Sequence, residues 1–167
     1  MLPADESFIE EILNISRVCR VNSWSAADYI HEINRSDSFH SVGFEKSRKK
    51  VIGFVLARLI KFEEDPSAIS NQEIIKNSQG NSEAEILTIA VIPERQKEGI
   101  GQIIFDGFLK FCIENKVRTI WLEVRESNFN ARQFYIKNGF QGSHKRKNYY
   151  REPLEDALVM RRDLNTI

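Results

Sequence analysis

The period of hydrophobic and polar positions changes several times along the chain, and each change marks an element. Over residues 5–20, Phe8, Ile9, Ile12, Leu13, Ser16 and Cys19 recur at helical spacing. Asp5, Glu6, Glu10 and Glu11 occupy the early turns, where the helix dipole favours negative charge. Ser25 is placed to cap a second, short helix over 26–35 that carries Tyr29, Ile30 and Ile33. Phe39–Glu45 and Val51–Ile60 read as two strands. The basic turn Lys46–Lys50 joins them as a hairpin, and its charges suit a solvated turn. Residues 62–82 are polar and weakly patterned, with at most a helical turn near Glu73–Lys76. A structureless stretch of about 20 residues is unusual inside a compact domain. It reads as a mobile insertion between two strands, dispensable for any chemistry.

Regular patterning returns at Glu85–Ile92, a β-rich run ended by Pro93. Gly99–Glu114 reads as a helix with Ile100, Ile103, Ile104, Phe108, Phe111 and Cys112 on its buried side. Arg118–Arg125 reads as a strand, and Asn128–Asn138 as a helix stopped by Gly139. Phe140 onward and Ala157–Arg161 read as two closing strands. The order α-α-β-β-β-α-β-α-β-β predicts one mixed α/β domain over residues 1–167, without internal repeats.

Composition supports a real core: 41% of the 167 residues are hydrophobic, among them 11 Phe, 4 Tyr and 2 Trp. That excludes a disordered chain, a collagen-like repeat and a disulfide scaffold. The 24 basic and 24 acidic residues cancel. Zero net charge argues against a protein that binds nucleic acid by bulk phosphate neutralisation, and against a polybasic membrane anchor. No apolar run approaches the roughly 20 residues needed to span a bilayer, and the start MLPADESF is acidic, without the apolar segment of a signal peptide. Cys19 and Cys112 lie far apart among apolar neighbours, with no metal-ligand spacing. They are expected as buried, reduced thiols of a cytoplasmic protein that holds no metal.

The most informative stretch is Pro93-Glu94-Arg95-Gln96-Lys97-Glu98-Gly99-Ile100-Gly101, which joins a strand to a helix. Backbone N–H groups at a helix start lack intrahelical partners and carry the positive end of the dipole, so they suit a phosphate or pyrophosphate. Glycine keeps a Cβ from holding the anion off the backbone. It is neither a nucleotide P-loop, for Gly-Lys-Ser/Thr is absent, nor a dinucleotide fingerprint, for Ile104 stands where the third glycine belongs. The glycines also fit a helix start that needs them only for tight packing.

Gln96-Lys97-Glu98-Gly99-Ile100-Gly101 resembles the Q/R-x-x-G-x-G/A loop of the GNAT acyl-CoA-dependent N-acetyltransferases. The resemblance extends to Ile86–Val91, to Leu122–Arg125, and to Ser127-Asn128, Ala131, Phe134-Tyr135 and Gly139-Phe140. Arg146-Lys147-Asn148-Tyr149-Tyr150 with Glu155-Asp156-Ala157 is similar to the C-terminal signature of the bacterial ribosomal-protein alanine N-acetyltransferases (RimI type), and Trp24-Ser25 to their early substrate-side loop. The long 62–82 segment departs from the family pattern.

The resemblance implies a GNAT-like α/β (α+β) fold, a central mixed, mostly antiparallel sheet flanked by helices, with splayed strands binding acetyl-CoA. It implies direct transfer of the acetyl group, in a ternary complex, to a protein's N-terminal α-amine. The implied acceptor is the N-terminal alanine of a small-subunit ribosomal protein, met as free polypeptide by a cytoplasmic monomer without nucleic acid, membrane or metal. Acetylation of lysine side chains or small-molecule amines is the alternative. A non-catalytic acyl-CoA-binding module is another, though it need not keep Glu123 and Tyr135 together.

Cofactor contacts are implied for the backbone of Ile89, Ala90 and Val91, for the loop Gln96, Lys97, Glu98, Gly99, Ile100, Gly101 and Gln102, and for Asn128, which also suits a helix cap. Glu123, a mid-strand carboxylate, is implied as general base; otherwise it pairs with Arg118, Arg125 or a neighbouring strand. Tyr135 is implied as general acid; otherwise it is a core aromatic. Tyr149 and Tyr150 shape a peptide groove or pack a closing strand, and Trp24 is a binding-rim residue or a core plug. Cys112 belongs to the core, not to an acetyl relay.

Overall fold

The computed structural model describes residues 1–21, 24–45, 50–61 and 82–164. The basic turn over 46–49 and all but Ser82 of the 62–82 insertion, with its helical turn near 73–76, lie outside the described residues. The chain forms two compact units: Met1–Leu59 with Ile86–Glu114, and Ile60–Glu85 with Asn115–Ile167.

In the first unit Asp5 caps a 3-10 turn, Glu6–Phe8, that leads into α1, Ile9–Cys19. The helix buries Ile9, Ile12, Ile15 and Ser16 and ends on Arg20 in the left-handed conformation. α2, Ala26–Ile33, starts at the capping box that Ser25 forms with Asp28. Its Tyr29 is fully buried, shares a 2.6 Å hydrogen bond with the Ser16 hydroxyl and meets Phe54 edge-on. Glu32, buried on the same helix, is satisfied by the Arg58 guanidinium.

β1, Ser38–Phe44, pairs antiparallel with β2, Val51–Lys61. β3 spans Ser82–Val91, and its later residues lie in this unit. Gly53 lets β2 approach it: a Cβ there would stand 2.7 Å from the Ala90 carbonyl oxygen. α3, Ile100–Glu114, buries Ile104, Phe105, Phe108 and Cys112. Phe108 and Phe111 pack on Phe39, at 5.6 and 4.6 Å between ring centroids. Ile103, expected on the buried side, is 60% exposed. Ile103, Ile104 and Phe105 are consecutive, and the stripe turns out to be centred on Ile104, Phe105 and Phe108, which points Ile103 outward.

In the second unit β4, Val117–Arg125, alternates strictly from Ile120 onward. Ile120, Leu122 and Val124 are buried, which sends Trp121, Glu123 and Arg125 to the opposite face. Asn128 caps α4, Phe129–Lys137, by accepting from the Ala131 N–H, and Gly139 follows at φ 81. β5, Gln141–Arg151, pairs antiparallel with β6, Leu154–Asp163, and β6 pairs antiparallel with β4. The six strands of the mixed sheet are ordered β1-β2-β3-β4-β6-β5. The predicted α/β class and element order are those observed, and among the described residues no helix is long and apolar enough to cross a membrane.

Candidate functional site

The loop between β3 and α3 is built to expose its backbone. A 3-10 turn, Pro93–Arg95, ends at Gln96, whose N–H bonds the Pro93 carbonyl. Lys97 (φ 65) and Gly99 (φ 83) then take left-handed conformations. The N–H groups of Gln102 and Ile103 return to the Gly99 carbonyl. Among the described residues, no backbone carbonyl accepts from the five N–H groups of Lys97–Gly101. Among the described residues beyond Gly99 and its two chain neighbours, no heavy atom comes within 4 Å of where a Gly99 Cβ would stand. Open N–H groups in series at a helix start make an anion cradle. Side chains brace it. Arg95 bridges Glu98 and Glu45, and the Gln96 amide donates to the Val91 carbonyl at 2.9 Å. That carbonyl also accepts from the Cys19 thiol at 3.2 Å, so within the Ile89–Val91 segment its acceptor capacity is already engaged. Cys19, expected buried, is only half-buried because it sits at the last turn of α1; Cys112 is fully buried.

The second unit gathers the other candidates on one sheet face. The pairing sets Glu123 opposite Val159, and sets Arg125 opposite Ala157, which in turn faces Arg146 on β5. Arg146 reaches across β6 to form an ion pair with the Glu123 carboxylate. The Glu123 side chain is 16% exposed and that of Arg146 is 52% exposed, so the carboxylate is largely covered but still reached by solvent. The Tyr149 phenol stands close enough to Glu123 for the carboxylate to raise its titration. Its ring lies 4.3 Å under the Arg146 guanidinium and meets Tyr150 edge-on at 5.1 Å. Tyr150 lies 4.1 Å under Arg125. Arg125 in turn bonds Glu155 and the carbonyls of Glu152 and Pro153, tying down the β5–β6 turn. Glu155 accepts from the Ser127 N–H at 2.6 Å, and this bond, with Arg125, holds its carboxyl below the usual range.

Three phenols meet this face with raised titration. Burial, then Glu123, pushes Tyr149 up to about 12. Burial and the Glu123 charge push Tyr150 up to about 12, against the opposing effect of Arg125. Tyr135, 6% exposed and packed edge-on against Phe134 and Phe140, is raised further by burial, with a smaller contribution from Tyr150. All three hydroxyls therefore stay protonated through the neutral range.

Glu123, Tyr135, Tyr149 and Tyr150 thus share the second unit, as does Asn128, whose side chain caps α4. Trp24 lies in the first unit and packs half-buried on Tyr29, 5.3 Å between ring centroids, beside the core. The partner of Glu123 is neither Arg118 nor Arg125 but Arg146, two strands away, because Ala157 is small enough to let the guanidinium pass over β6. The roles of Arg125 and Asp156 leave no periodic signal. Asn148 leaves one: asparagine between basic residues and tyrosines in a strand, a residue type enriched at positive φ. Among the described residues no group of His, Cys, Asp and Glu side chains is arranged to hold a metal.

The acetyltransferase (GNAT) family matches residues 9–140. The ribosomal protein bS18-alanine N-acetyltransferase of Haemophilus influenzae is 43% identical over 81 residues, 47% of this chain and 55% of that protein. Its namesake in Escherichia coli strain K12 is 38% identical over 80 residues, 47% of this chain and 54% of that protein. The chain spans about half the length of these curated relatives. The crystal structure of the ribosomal-protein-S18-alanine N-acetyltransferase from Escherichia coli superposes with a TM-score of 0.74 at 21% identity, covering 97% of this chain and 91% of that one. Arabidopsis thaliana NAA60, in complex with a bisubstrate analogue, gives 0.81 at 20% identity, covering 99% and 98%.

Proposed function

The chain belongs to the acetyltransferase (GNAT) family, and from that premise we propose that it transfers the acetyl group of acetyl-CoA to the N-terminal α-amine of a protein. The acceptor we propose is the N-terminal alanine of a small-subunit ribosomal protein, met as free polypeptide in the cytoplasm. The observation that carries the reading is the cradle of five N–H groups, Lys97–Gly101, which fits the pyrophosphate of a coenzyme A nucleotide. Support for the acceptor comes from the curated relatives, named for bS18-alanine acetylation.

Lys97 to Gly101 would hold the pyrophosphate, flanked by Gln96 and Gln102, and the backbone of Ile89 and Ala90 the pantetheine amides, as an added strand. Asn128 would add a contact from the cap of α4. Bound acetyl-CoA supplies the acetyl group as a thioester. The attacking amine must be neutral, and an α-amine titrates near about 8, against about 10.4 for lysine. A modest base is therefore enough. Glu123 takes the proton, with Arg146 fixing its carboxylate. As the amide bond forms and the thioester C–S bond breaks, Tyr135, kept protonated by burial, would give its proton to the leaving thiolate. Tyr149 and Tyr150 line the face that receives the peptide.

The test is a panel of acceptors with acetyl-CoA, read by mass spectrometry. A peptide beginning with alanine gains one acetyl group on its α-amine. Acetylation confined to lysine side chains or to polyamines overturns the acceptor and leaves the chemistry. Tight binding of acetyl-CoA with no transfer to any amine overturns the activity.

A further inference from the structure

We propose that Asn148 and Asp156 are the positioning pair of this site: they hold a bulge in β5 that turns Tyr149 under the Arg146 guanidinium, which pairs with the Glu123 carboxylate. The inference rests on the reading of Glu123 as the base. Its geometry stands apart from that reading.

The register shows the bulge. Arg146 pairs with Ala157 and Tyr150 with Glu155, so four steps along β5 correspond to two along β6. Two additional residues are therefore looped into β5. In an unbroken strand successive side chains alternate, and Tyr149 would point away from the face that Arg146 and Tyr150 share. Here it does not. Its ring packs on Tyr150 and lies under Arg146. The turn that permits this is made at Asn148, at φ 52, a conformation asparagine tolerates better than other non-glycine residues. Asp156, on β6 opposite the bulge, accepts from the Asn148 N–H at 2.8 Å and pins the loop. Both residues act on Glu123 through Tyr149, whose ring lies under the guanidinium that pairs with the carboxylate.

The experiment uses the full chain and the variants N148V, N148G and D156A. Two readouts are combined: the nuclear Overhauser contact between the Tyr149 and Tyr150 rings, and kcat with KM for acetyl-CoA on an alanine-terminated peptide. N148V and D156A are expected to lose the ring contact and to lower kcat roughly tenfold or more, with KM for acetyl-CoA within about twofold, since a small misplacement of reacting groups is costly. Glycine adopts positive φ freely, so N148G restores the ring contact and most of the rate lost in N148V. Persistence of the ring contact in N148V overturns the proposal. So does loss of the contact with kcat within about twofold of wild type, which makes the bulge structural only. E123Q as active as wild type, or a wild type that transfers nothing, brings down the functional reading instead. The proposal is then decided by the ring contact alone.

Discussion

Replacing Tyr135 by phenylalanine removes one oxygen from a side chain that is 6% exposed and leaves its ring in place against Phe134 and Phe140, each 5.5 Å away. The packing is retained, so the loss of stability is limited to what one hydroxyl contributes, about 1 kcal/mol or less. If the phenol gives its proton in the transition state, the kinetic cost is far larger. General acid catalysis contributes roughly 10²–10⁴-fold, equivalent to about 2.7–5.4 kcal/mol of barrier. The two magnitudes separate the roles. Thiol release from saturating acetyl-CoA, followed with an alanine-terminated peptide, should fall by that factor in kcat, while the melting temperature moves by only a few degrees. Because burial raises the Tyr135 phenol above its ordinary value of 10.0, the donor stays protonated well past neutrality. No loss of rate from its ionisation is expected below that value. A kcat within about threefold of wild type refutes the acid role and returns Tyr135 to the core.

Gly99→Val should raise KM for acetyl-CoA by roughly tenfold or more with kcat little changed. Its φ of 83 costs a branched residue about 1–2 kcal/mol, and the added side chain would stand over the open N–H groups. An unchanged KM, measured by steady-state kinetics, removes the cradle from the cofactor site. Gly53→Ala puts a Cβ 2.7 Å from the Ala90 carbonyl oxygen and 2.9 Å from Ile104, so a backbone must shift. Urea denaturation should show a loss of about 1–3 kcal/mol, and wild-type stability would contradict the close approach of β2 and β3. His40 titrates below its ordinary 6.5, chiefly through burial, with the nearby backbone of Ala4 and Ile33 opposing. The unfolded chain therefore binds this proton first, and stability falls as pH drops below 6.5 toward the folded value. His40→Gln should flatten that part of the stability–pH curve, and an equally steep curve would exclude His40 as its cause.

Much of the frame was legible along the chain because its signals are local. Period-two alternation marks Ile120–Arg125, the Ser25–Asp28 box starts α2, and Gly139 stops α4. The loop Gln96–Gly101 was legible for the same reason: glycine spacing and a helix start are properties of neighbouring residues. Where three apolar residues run together, at Ile103, Ile104 and Phe105, the pattern no longer fixes the phase, and only packing against Phe39 and its neighbours chooses the buried side. The environment of Glu123 lay further out of reach. Its partner, Arg146, is 23 residues away and reaches it only because Ala157 intervenes on β6. The face on which Tyr149 appears depends on how many residues β5 spends against β6. Sequence by itself determined the order of elements, the glycine-bearing loop before α3 and the residue types at the site. Tertiary structure alone decided which side chains meet the carboxylate, because strand register, and the place where a strand loops out of it, are properties of two strands together.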